Sequence, residues 1–346
     1  MLRQLSIPVL AACLLLQGCY ATQAARGQLQ ILNAREPIAR VLEDPKAPAD
    51  LKQRLATVRA AREFASRELG LPNNKSYTSY ADLKREYVVW SVVATPEFSV
   101  EPREWCFPIV GCVAYRGYFK EKTAQEFAAD LRREGYDAVV EGVPAYSTLG
   151  KFNDPIMSTM MGYGDDELAA IMFHELSHQV VYIPDDTAFN EAFAVTVEQE
   201  GLARWLKDRG RADELARYRA RRERQAESIR IVARYREQLK ALYASGLAPE
   251  PMRARKADTF AALVAELRAV DARHGVKSAL AAELAGPPNN ARLASLATYY
   301  DCVPGFEREL AAQQHDLPRF FDAVRELSKL PRETRRAQLC TSAEAP

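Results

Sequence analysis

The sequence predicts an α+β chain that is predominantly helical, with a small mixed β-sheet and a helical lobe at its C-terminal end. Stretches rich in Ala, Arg, Glu and Leu, which favour helices, recur through the 346 residues. Short runs of β-branched and aromatic residues, which favour strands, occur between residues 87 and 146. The chain is longer than a typical single core requires, so we expect one large lobe or two closely packed lobes.

The first half of the chain supplies the predicted sheet. Residues 49–69 are typical of a helix that ends before Gly70, and residues 73–80 are typical of a polar loop. A second helix is predicted over residues 121–134, where Gly135 stops it. Three runs predict strands, at residues 87–94, 113–119 and 137–146. We expect these strands to form one small sheet.

The second half of the chain is predicted to be helical. Residues 211–244 mix Arg with Glu and Asp, which is typical of a long solvated helix, and binding of a polyanion is the alternative. Further helices are predicted at residues 252–273, 304–314 and 318–330. We expect residues 289–291, Tyr299 and Tyr300 to lie between helices. The predicted divisions are a leader, an N-terminal helical segment, a sheet with a two-helix core, and a C-terminal lobe, at residues 1–18, 19–80, 81–210 and 211–346.

The motif that carries chemistry is His174-Glu175-Leu176-Ser177-His178. The residues before it have helical composition and an acidic first turn, so His174 and His178 lie one turn apart on the same helix face. Two imidazoles in that arrangement can hold one metal ion, and Glu175 can reach a water there without binding the metal. A single histidine on a helix is more often packed than ligating. Here two of four histidines have ligand spacing, the others being His274 and His315.

A third protein ligand is needed, because catalytic zinc usually takes three protein groups and a water. No histidine follows soon after the motif, so we expect a carboxylate. Pro184 should end the motif helix, and Asp186 or Thr187 should cap the next one. Glu191 lies in the first or second turn of that helix, and an antiparallel pair would bring it beside His178.

Other assignments of the third ligand remain open. Glu191 can simply favour the helix N-terminus through the macrodipole. Asp185, Asp186 and Glu198 are the competing carboxylates. Glu198 lies roughly 10 Å beyond Glu191 along the helix axis. We therefore expect Glu191 to be the ligand and Glu198 to support the ligands or face the substrate.

The first 18 residues are typical of a targeting segment. Arg3 precedes an apolar run that is shorter than the about 20 residues of a transmembrane helix. The run ends in Leu16-Gln17-Gly18-Cys19, which resembles the bacterial lipobox, so we expect cleavage before Cys19 and acylation of its thiol. Tyr20 stands where an aspartate would indicate the inner membrane, so the expected location is the periplasmic face of the outer membrane. Ordinary secretion is the alternative.

Four cysteines follow Cys19, and an even number in an exported chain indicates disulfides. Cys106 and Cys112 enclose a tight loop that a disulfide could close. Cys302 and Cys340 are then the remaining pair. Metal binding by Cys106 and Cys112 is the weaker alternative, because exported chains normally oxidise such thiols.

Two helices carry a resemblance to a known group of enzymes. His174-Glu-x-x-His178 followed by Asn190-Glu191-x-x-Ala194 resembles the gluzincin metallopeptidases, whose third ligand is the glutamate of such a helix. More closely, the chain resembles a bacterial family of predicted zinc aminopeptidase lipoproteins. The matching stretches span most of the chain after residue 18, at residues 105–119, 145–150, 189–194 and 289–293.

The resemblance implies a peptidase that binds one zinc ion per chain through His174, His178 and Glu191. Glu175 is then the general base. Gluzincins stabilise the oxyanion with a Tyr or His from the C-terminal side, which makes Tyr299 or Tyr300 the candidate here, although both can equally be core aromatics. Backbone groups of the segment Tyr146, Ser147 and Thr148, at the end of the last predicted strand, can pair with a peptide substrate.

Two classes of function remain open at this stage. The first is a metallopeptidase with a peptide substrate, and the second is a non-catalytic lipoprotein that binds or assembles envelope components. Glu175 favours the first class, because a binding protein has no chemical need for a base. Endopeptidase action and the cleavage of peptidoglycan peptides in cell-wall maintenance also remain open, since the Gly-x-Met-x-Asn strand of the M1 aminopeptidases is missing upstream of the motif. The net charge of +1 gives no electrostatic reason to expect nucleic acid as a partner.

Overall fold

A computed structural model describes residues 6–107, 111–145 and 147–340, with the backbone alone for residues 6–19. The predicted fold class is confirmed, because helices predominate in the described residues and small sheets complete the fold. Among these residues, no helix has the length and apolar character that crossing a membrane requires.

Helices carry most of the chain. The first six are α1 (Ser6–Asn33), α2 (Ile38–Glu43), α3 (Ala49–Arg67), α4 (Glu121–Arg133), α5 (Asp165–Ser177) and α6 (Thr187–Asp208). The C-terminal helices are α7 (Ala212–Tyr243), α8 (Pro249–Arg273), α9 (Ala279–Leu284), α10 (Asn290–Tyr300), α11 (Val303–Ala312), α12 (Leu317–Ser328) and α13 (Arg332–Leu339). Gly135 ends α4 as predicted, because its φ of +87° is a conformation that glycine adopts without strain.

The strands are short, and the longest two lie side by side. In chain order they are β1 (Arg35–Pro37), β2 (Ser79–Ala81), β3 (Val89–Pro96), β4 (Trp105–Phe107), β5 (Gly111–Val113), β6 (Arg116–Tyr118), β7 (Tyr136–Val143) and β8 (Ile156–Met157). They form a mixed sheet β1-β2-β8, an antiparallel sheet β6-β3-β7 and a hairpin β4-β5.

The antiparallel sheet lies between two helices. Successive side chains of a strand point to opposite faces, so Val92 and Ala94 of β3 face α4 while Val93 faces α10. Val139 of β7 and Ala291 of α10 complete the second face. The sheet therefore joins the N-terminal part of the chain to a helix of the predicted C-terminal lobe.

Two predictions about the strand regions before α4 were wrong. Residues 113–119 were predicted as one strand, but β5 pairs with β4 in the hairpin and β6 pairs with β3 in the sheet. Residues 73–80 were predicted as loop, yet β2 begins at Ser79 and pairs with both β1 and β8. Such short strands are set by their partners, which lie far away in the sequence, so local composition does not reveal them.

The main hydrophobic core surrounds α5 and α6. Phe64 of α3 packs against Phe173 of α5 and Trp205 of α6, with ring centroids 6.2 Å and 5.1 Å away. On the other side of α6, Phe193 contacts Phe306 and Phe320, which belong to α11 and α12. The two helices that carry the motif and Glu191 are thus buried in the centre of the fold.

Helix α10 replaces a predicted connection. Residues 289–291 and Tyr299 and Tyr300 were expected between helices, but they form the two ends of this one helix. Asn289 caps it by accepting from the Ala291 N–H at 3.0 Å, and the Asn290 N–H donates to Asp137 of β7 at 2.7 Å. These contacts fix the start of α10 on the sheet, and its far end then reaches towards α6.

Both predicted disulfides are present in the structure. Cys106 faces Cys112 across the β4-β5 hairpin. Cys302 and Cys340 join the start of α11 to the end of α13. The first crosslink closes a local hairpin, and the second holds the last helix against the core.

A buried ion pair fastens that last helix to α6. Arg335 of α13 donates from Nε at 2.9 Å and from Nη2 at 2.6 Å to Asp186 Oδ2. The side chains are 8% and 2% exposed, so neither charge has access to bulk water. Asp186 also caps α6 by accepting from the Phe189 N–H at 3.4 Å.

We expect Arg335→Met to lower the free energy of unfolding by about 3–5 kcal/mol, because it leaves the buried Asp186 carboxylate without its counter-charge. Urea denaturation followed by circular dichroism measures this loss. Arg336→Met, at the exposed neighbouring position, is the matched control and should change stability little. Equal stabilities for the two variants would contradict the importance of the ion pair.

Candidate metal centre

Helix α5 presents the motif from a well-capped start. The Gly164 N–H donates to the Glu167 carboxylate at 3.0 Å, and the acidic first turn complements the helix dipole. The helix ends at Ser177 with His178 as its C-cap, so the prediction that it continues to near Pro184 was wrong. Turns at Gln179 and Val180 end the helix first, because their N–H groups donate to carbonyls three residues earlier.

The loop between α5 and α6 is closed by a side chain of the second helix. Asn190 accepts from the Ile183 N–H at 2.8 Å and donates to the Ile183 carbonyl at 2.7 Å. Asn190 is 2% exposed, so both bonds are shielded from water. This clamp turns the chain back and explains why an asparagine precedes Glu191.

The structure brings His174, His178 and Glu191 together. His174 Nε2 lies 3.2 Å from Glu191 Oε2, and His178 Nε2 lies 3.8 Å from the same oxygen. One potential ligand atom from each residue lies within 4.8 Å of the other two. Ligand atoms that share a tetrahedral zinc ion lie about 3.3 Å apart. The three side chains therefore fit one metal ion after small adjustments.

The competing carboxylates have other partners. Glu198 Oε2 lies 3.1 Å from His174 Nδ1, the ring nitrogen that faces away from Glu191. Asp185 accepts from the Cys112 N–H, and Asp186 pairs with Arg335. Glu198 thus fixes the orientation of an imidazole, as carboxylates beside metal-binding histidines do.

Burial and the neighbouring charges shift the pKa values of the three candidate ligands in opposite directions. Burial opposes protonation of His174, but hydrogen bonds to Glu191 and Glu198 outweigh it and hold the pKa of His174 well above its usual value. Burial lowers the pKa of His178 to about 4. Burial would raise the pKa of Glu191, but the two imidazoles keep it below the usual value. The group therefore favours a positive charge beside Glu191, which a metal ion can supply in place of a proton.

Glu175 lies beside this group and is only 8% exposed. Burial raises the pKa of its carboxyl to about 8, against the lowering effect of His174 and with a further rise from Glu191. A carboxyl whose pKa lies near neutrality is suited to taking up and releasing a proton.

The two predicted tyrosines have different surroundings. The charge of Glu191, followed by burial, holds the pKa of Tyr299 well above its usual value, and Glu175 adds to the effect. Tyr300 instead accepts a hydrogen bond from Gln225 Nε2 at 2.9 Å and packs against the main core. Tyr299 therefore interacts electrostatically with the candidate ligand Glu191, whereas Tyr300 is hydrogen-bonded to α7.

The predicted substrate segment is only partly described. Tyr146 lies outside the described residues. Strand β7 ends at Val143 rather than at residue 146, so Ser147 and Thr148 belong to the following loop. Thr148 donates from N at 2.9 Å and from Oγ1 at 2.6 Å to the buried carboxylate of Asp154. The Thr148 N–H is thus already bonded, and a role of this segment in substrate binding stays a prediction.

Sequence reasoning missed groups that interact electrostatically with Glu175, among them Tyr115 and Asp154. Tyr115, between β5 and β6, has a pKa raised by burial and then by Glu191 and other neighbours that include Glu175. The charge of Asp154 contributes to the raised pKa of Glu175. Tyr115 lies in the stretch 105–119 that carries the family resemblance, which was the available signal. Asp154 lies in a loop without a local signal.

The fold and this site define a mostly helical α+β protein with a candidate metal centre on a helix pair. The family model described as "Putative aminopeptidase" matches residues 19–339, and the chain belongs to this family. No curated protein and no solved structure matches the chain. The matched residues include the three candidate ligands and Glu175.

We expect the purified protein to bind one zinc ion, and Glu191→Gln to weaken binding more than Glu198→Gln. Glu198→Gln should cost about 10–100-fold in affinity, the range for residues that orient a ligand. Competition with a chromophoric chelator gives the affinities. Glu200→Gln is the matched control on the same helix, since Glu200 pairs with Arg204 instead. A stronger loss in Glu198→Gln than in Glu191→Gln would exchange their assigned roles.

Proposed function

We propose that this protein is a zinc-dependent peptidase that acts as an aminopeptidase. The observation that carries the proposal is the buried group of His174, His178 and Glu191, with the Glu175 carboxyl beside it. Two imidazoles and one carboxylate are a donor set of catalytic zinc sites, which keep a further position for water or substrate. Membership of the family described as "Putative aminopeptidase" supports the choice of peptide substrates.

Zinc, Glu175 and Tyr299 would each have a separate role in the reaction. When bound, zinc supplies a Lewis acid that polarises the scissile carbonyl and makes water more acidic. Glu175 accepts a proton from the attacking water and passes it to the nitrogen of the leaving amine. Tyr299 is our candidate to donate a hydrogen bond to the developing oxyanion, because the charge of Glu191, followed by burial, raises the pKa of its hydroxyl.

Two other functions remain to be separated from this proposal by experiment. An endopeptidase would use the same zinc site and base but would cleave peptides that have no free amino terminus. A non-catalytic envelope protein would bind its target without cleaving it. The preference for a peptidase over a non-catalytic protein rests on Glu175, since a buried carboxyl with a raised pKa can serve in proton transfer.

We expect Glu175→Gln to retain zinc and to lose at least about 10²-fold in kcat, the scale of general acid–base catalysis. The assay compares hydrolysis of a peptide with a free amino terminus and of the same peptide after acetylation, with and without chelator. Wild-type protein should cleave the free peptide and spare the acetylated one.

Different outcomes of this assay separate the alternatives. Cleavage of both peptides would make the protein an endopeptidase. Zinc binding without cleavage of either peptide, tested over a set of amino-terminal residues, would favour the non-catalytic function. Glu167→Gln is a matched control on α5, because this residue caps the helix start and should leave kcat nearly unchanged.

We also propose that the protein is a lipoprotein of the bacterial envelope, anchored through Cys19 and placed on the periplasmic face of the outer membrane. The lipobox-like sequence that ends at Cys19 supports this. The disulfides agree with an oxidising compartment.

We expect Cys19→Ser to abolish incorporation of labelled fatty acid and to move the protein from the membrane to the soluble fraction. Cys13→Ser, in the proposed leader, is the matched control and should leave both labelling and fractionation unchanged. Continued membrane association of the Cys19→Ser protein would indicate another tether.

A further inference from the structure

The loop between α5 and α6 connects two candidate ligands, His178 and Glu191. Beyond its first turns the loop has no helix or strand, so side-chain contacts decide its shape. One of these contacts, at Asp185, comes from a crosslinked hairpin that lies 73 residues earlier in the chain. This crosslink has no part in the proposed chemistry.

The backbone of the β4-β5 hairpin contacts Asp185. The Cys112 N–H donates to Asp185 Oδ1. A Cβ atom placed on Gly111 would lie 2.5 Å from the same oxygen and 2.8 Å from the Asp185 backbone nitrogen, so only glycine allows this approach. The φ of Gly111 is +75°, a second reason for a glycine at this position.

The residue that makes this contact is itself crosslinked. Cys112 lies directly opposite Cys106 in the β4-β5 hairpin, and the disulfide joins the two. A bond that fixes the hairpin therefore also fixes the N–H group that Asp185 accepts from.

Asp185 is in a conformation that needs such support. Its φ is +67°, in the left-handed region that few residues besides glycine, asparagine and aspartate adopt. Non-glycine residues are kept there only where surrounding contacts hold them. The carboxylate is directed to the hairpin rather than to the imidazoles, and the residue precedes α6 by two positions.

The other fixed points of the loop lie on either side of Asp185. Asn190 holds Ile183 through both backbone groups, and Arg335 holds Asp186. Asp185 lies between these points and has a positive φ. Without the hairpin contact, it loses the hydrogen bond that supports this conformation. The change passes to the start of α6, which carries Glu191 in its second turn.

We propose that the hairpin closed by Cys106 and Cys112 is a positioning element of the metal centre, and that it acts through Asp185. The inference rests on the metal site of the proposed function and assigns a role to a crosslink that the chemistry does not use. Loss of the contact allows the loop to relax and weakens zinc binding, although all three ligands are still present.

The test measures zinc affinity by chelator competition in purified protein. Asp185→Ala and the double variant Cys106→Ser, Cys112→Ser should each bind zinc about 10-fold more weakly, at the lower end of the range for groups that orient ligands. Asp185→Ala removes the acceptor of this contact, and the double variant removes the crosslink that holds its donor in place. Because both changes act on the same contact, the triple variant should be little weaker than either. Asp185→Asn should bind nearly as tightly as wild type, since its amide oxygen can still accept from Cys112.

Two controls separate positioning from a general loss of stability. Asp208→Ala changes an exposed aspartate at the other end of α6 and should leave zinc affinity unchanged. Asp185 is also exposed, so the thermal midpoint of the zinc-free Asp185→Ala protein should fall by only a few degrees, roughly what alanine at a positive φ costs.

The outcomes are distinct. Wild-type zinc affinity in Asp185→Ala, or independent and additive losses in the triple variant, would overturn the positioning role. Absence of zinc binding in the wild-type protein would instead overturn the metal site itself. Rescue in Asp185→Asn together with non-additive losses supports the proposal.

Discussion

The contact between Glu191 and two imidazoles of the neighbouring helix is the constraint on which the rest of the structure depends. All three side chains are largely removed from water. Burying an ionised carboxylate costs several kcal/mol unless an opposite charge or hydrogen bonds compensate it. In this site the compensation comes from His174 and His178, and a metal ion would provide more of it. The helix pair must therefore keep its spacing closely.

Much of the surrounding structure maintains that spacing. Phe64, Phe173 and Trp205 pack α3, α5 and α6 together, and Phe306 and Phe320 cover the other side of α6. Apolar contacts have little directionality, so polar contacts are needed to fix the loop between the helices and the start of α6. Asn190 closes the loop, and the Arg335–Asp186 pair fastens the start of α6 to the last helix. The second disulfide holds that last helix in place.

The C-terminal part of the chain contributes to the site through α10. Asp137 of β7 receives the Asn290 N–H at the start of this helix and also pairs with Lys256 of α8 at 2.6 Å. Sheet, α8 and α10 therefore meet at one carboxylate. Because a helix is stiff, fixing its start also determines where Tyr299 lies, about two and a half turns further on. Asn289 and Asn290 thus anchor the start of α10, while the candidate oxyanion donor lies at the opposite end of the helix.

The sequence by itself determined the parts that depend on local periodicity. Helical spacing placed His174 and His178 on one face of α5, and an even number of cysteines indicated the disulfides. Six helices were predicted to within a few residues, namely α3, α4, α7, α8, α11 and α12. Only the tertiary structure decided which distant groups meet those histidines. In the structure Glu198 lies within hydrogen-bonding distance of His174 Nδ1, and Asp185 accepts from the β4-β5 hairpin. Tyr300 is hydrogen-bonded to α7, which distinguishes it from Tyr299. The physical reason is that hydrogen bonding within a helix fixes the direction of a side chain, whereas the distance between helices depends on loop contacts and packing that involve residues far apart in the chain.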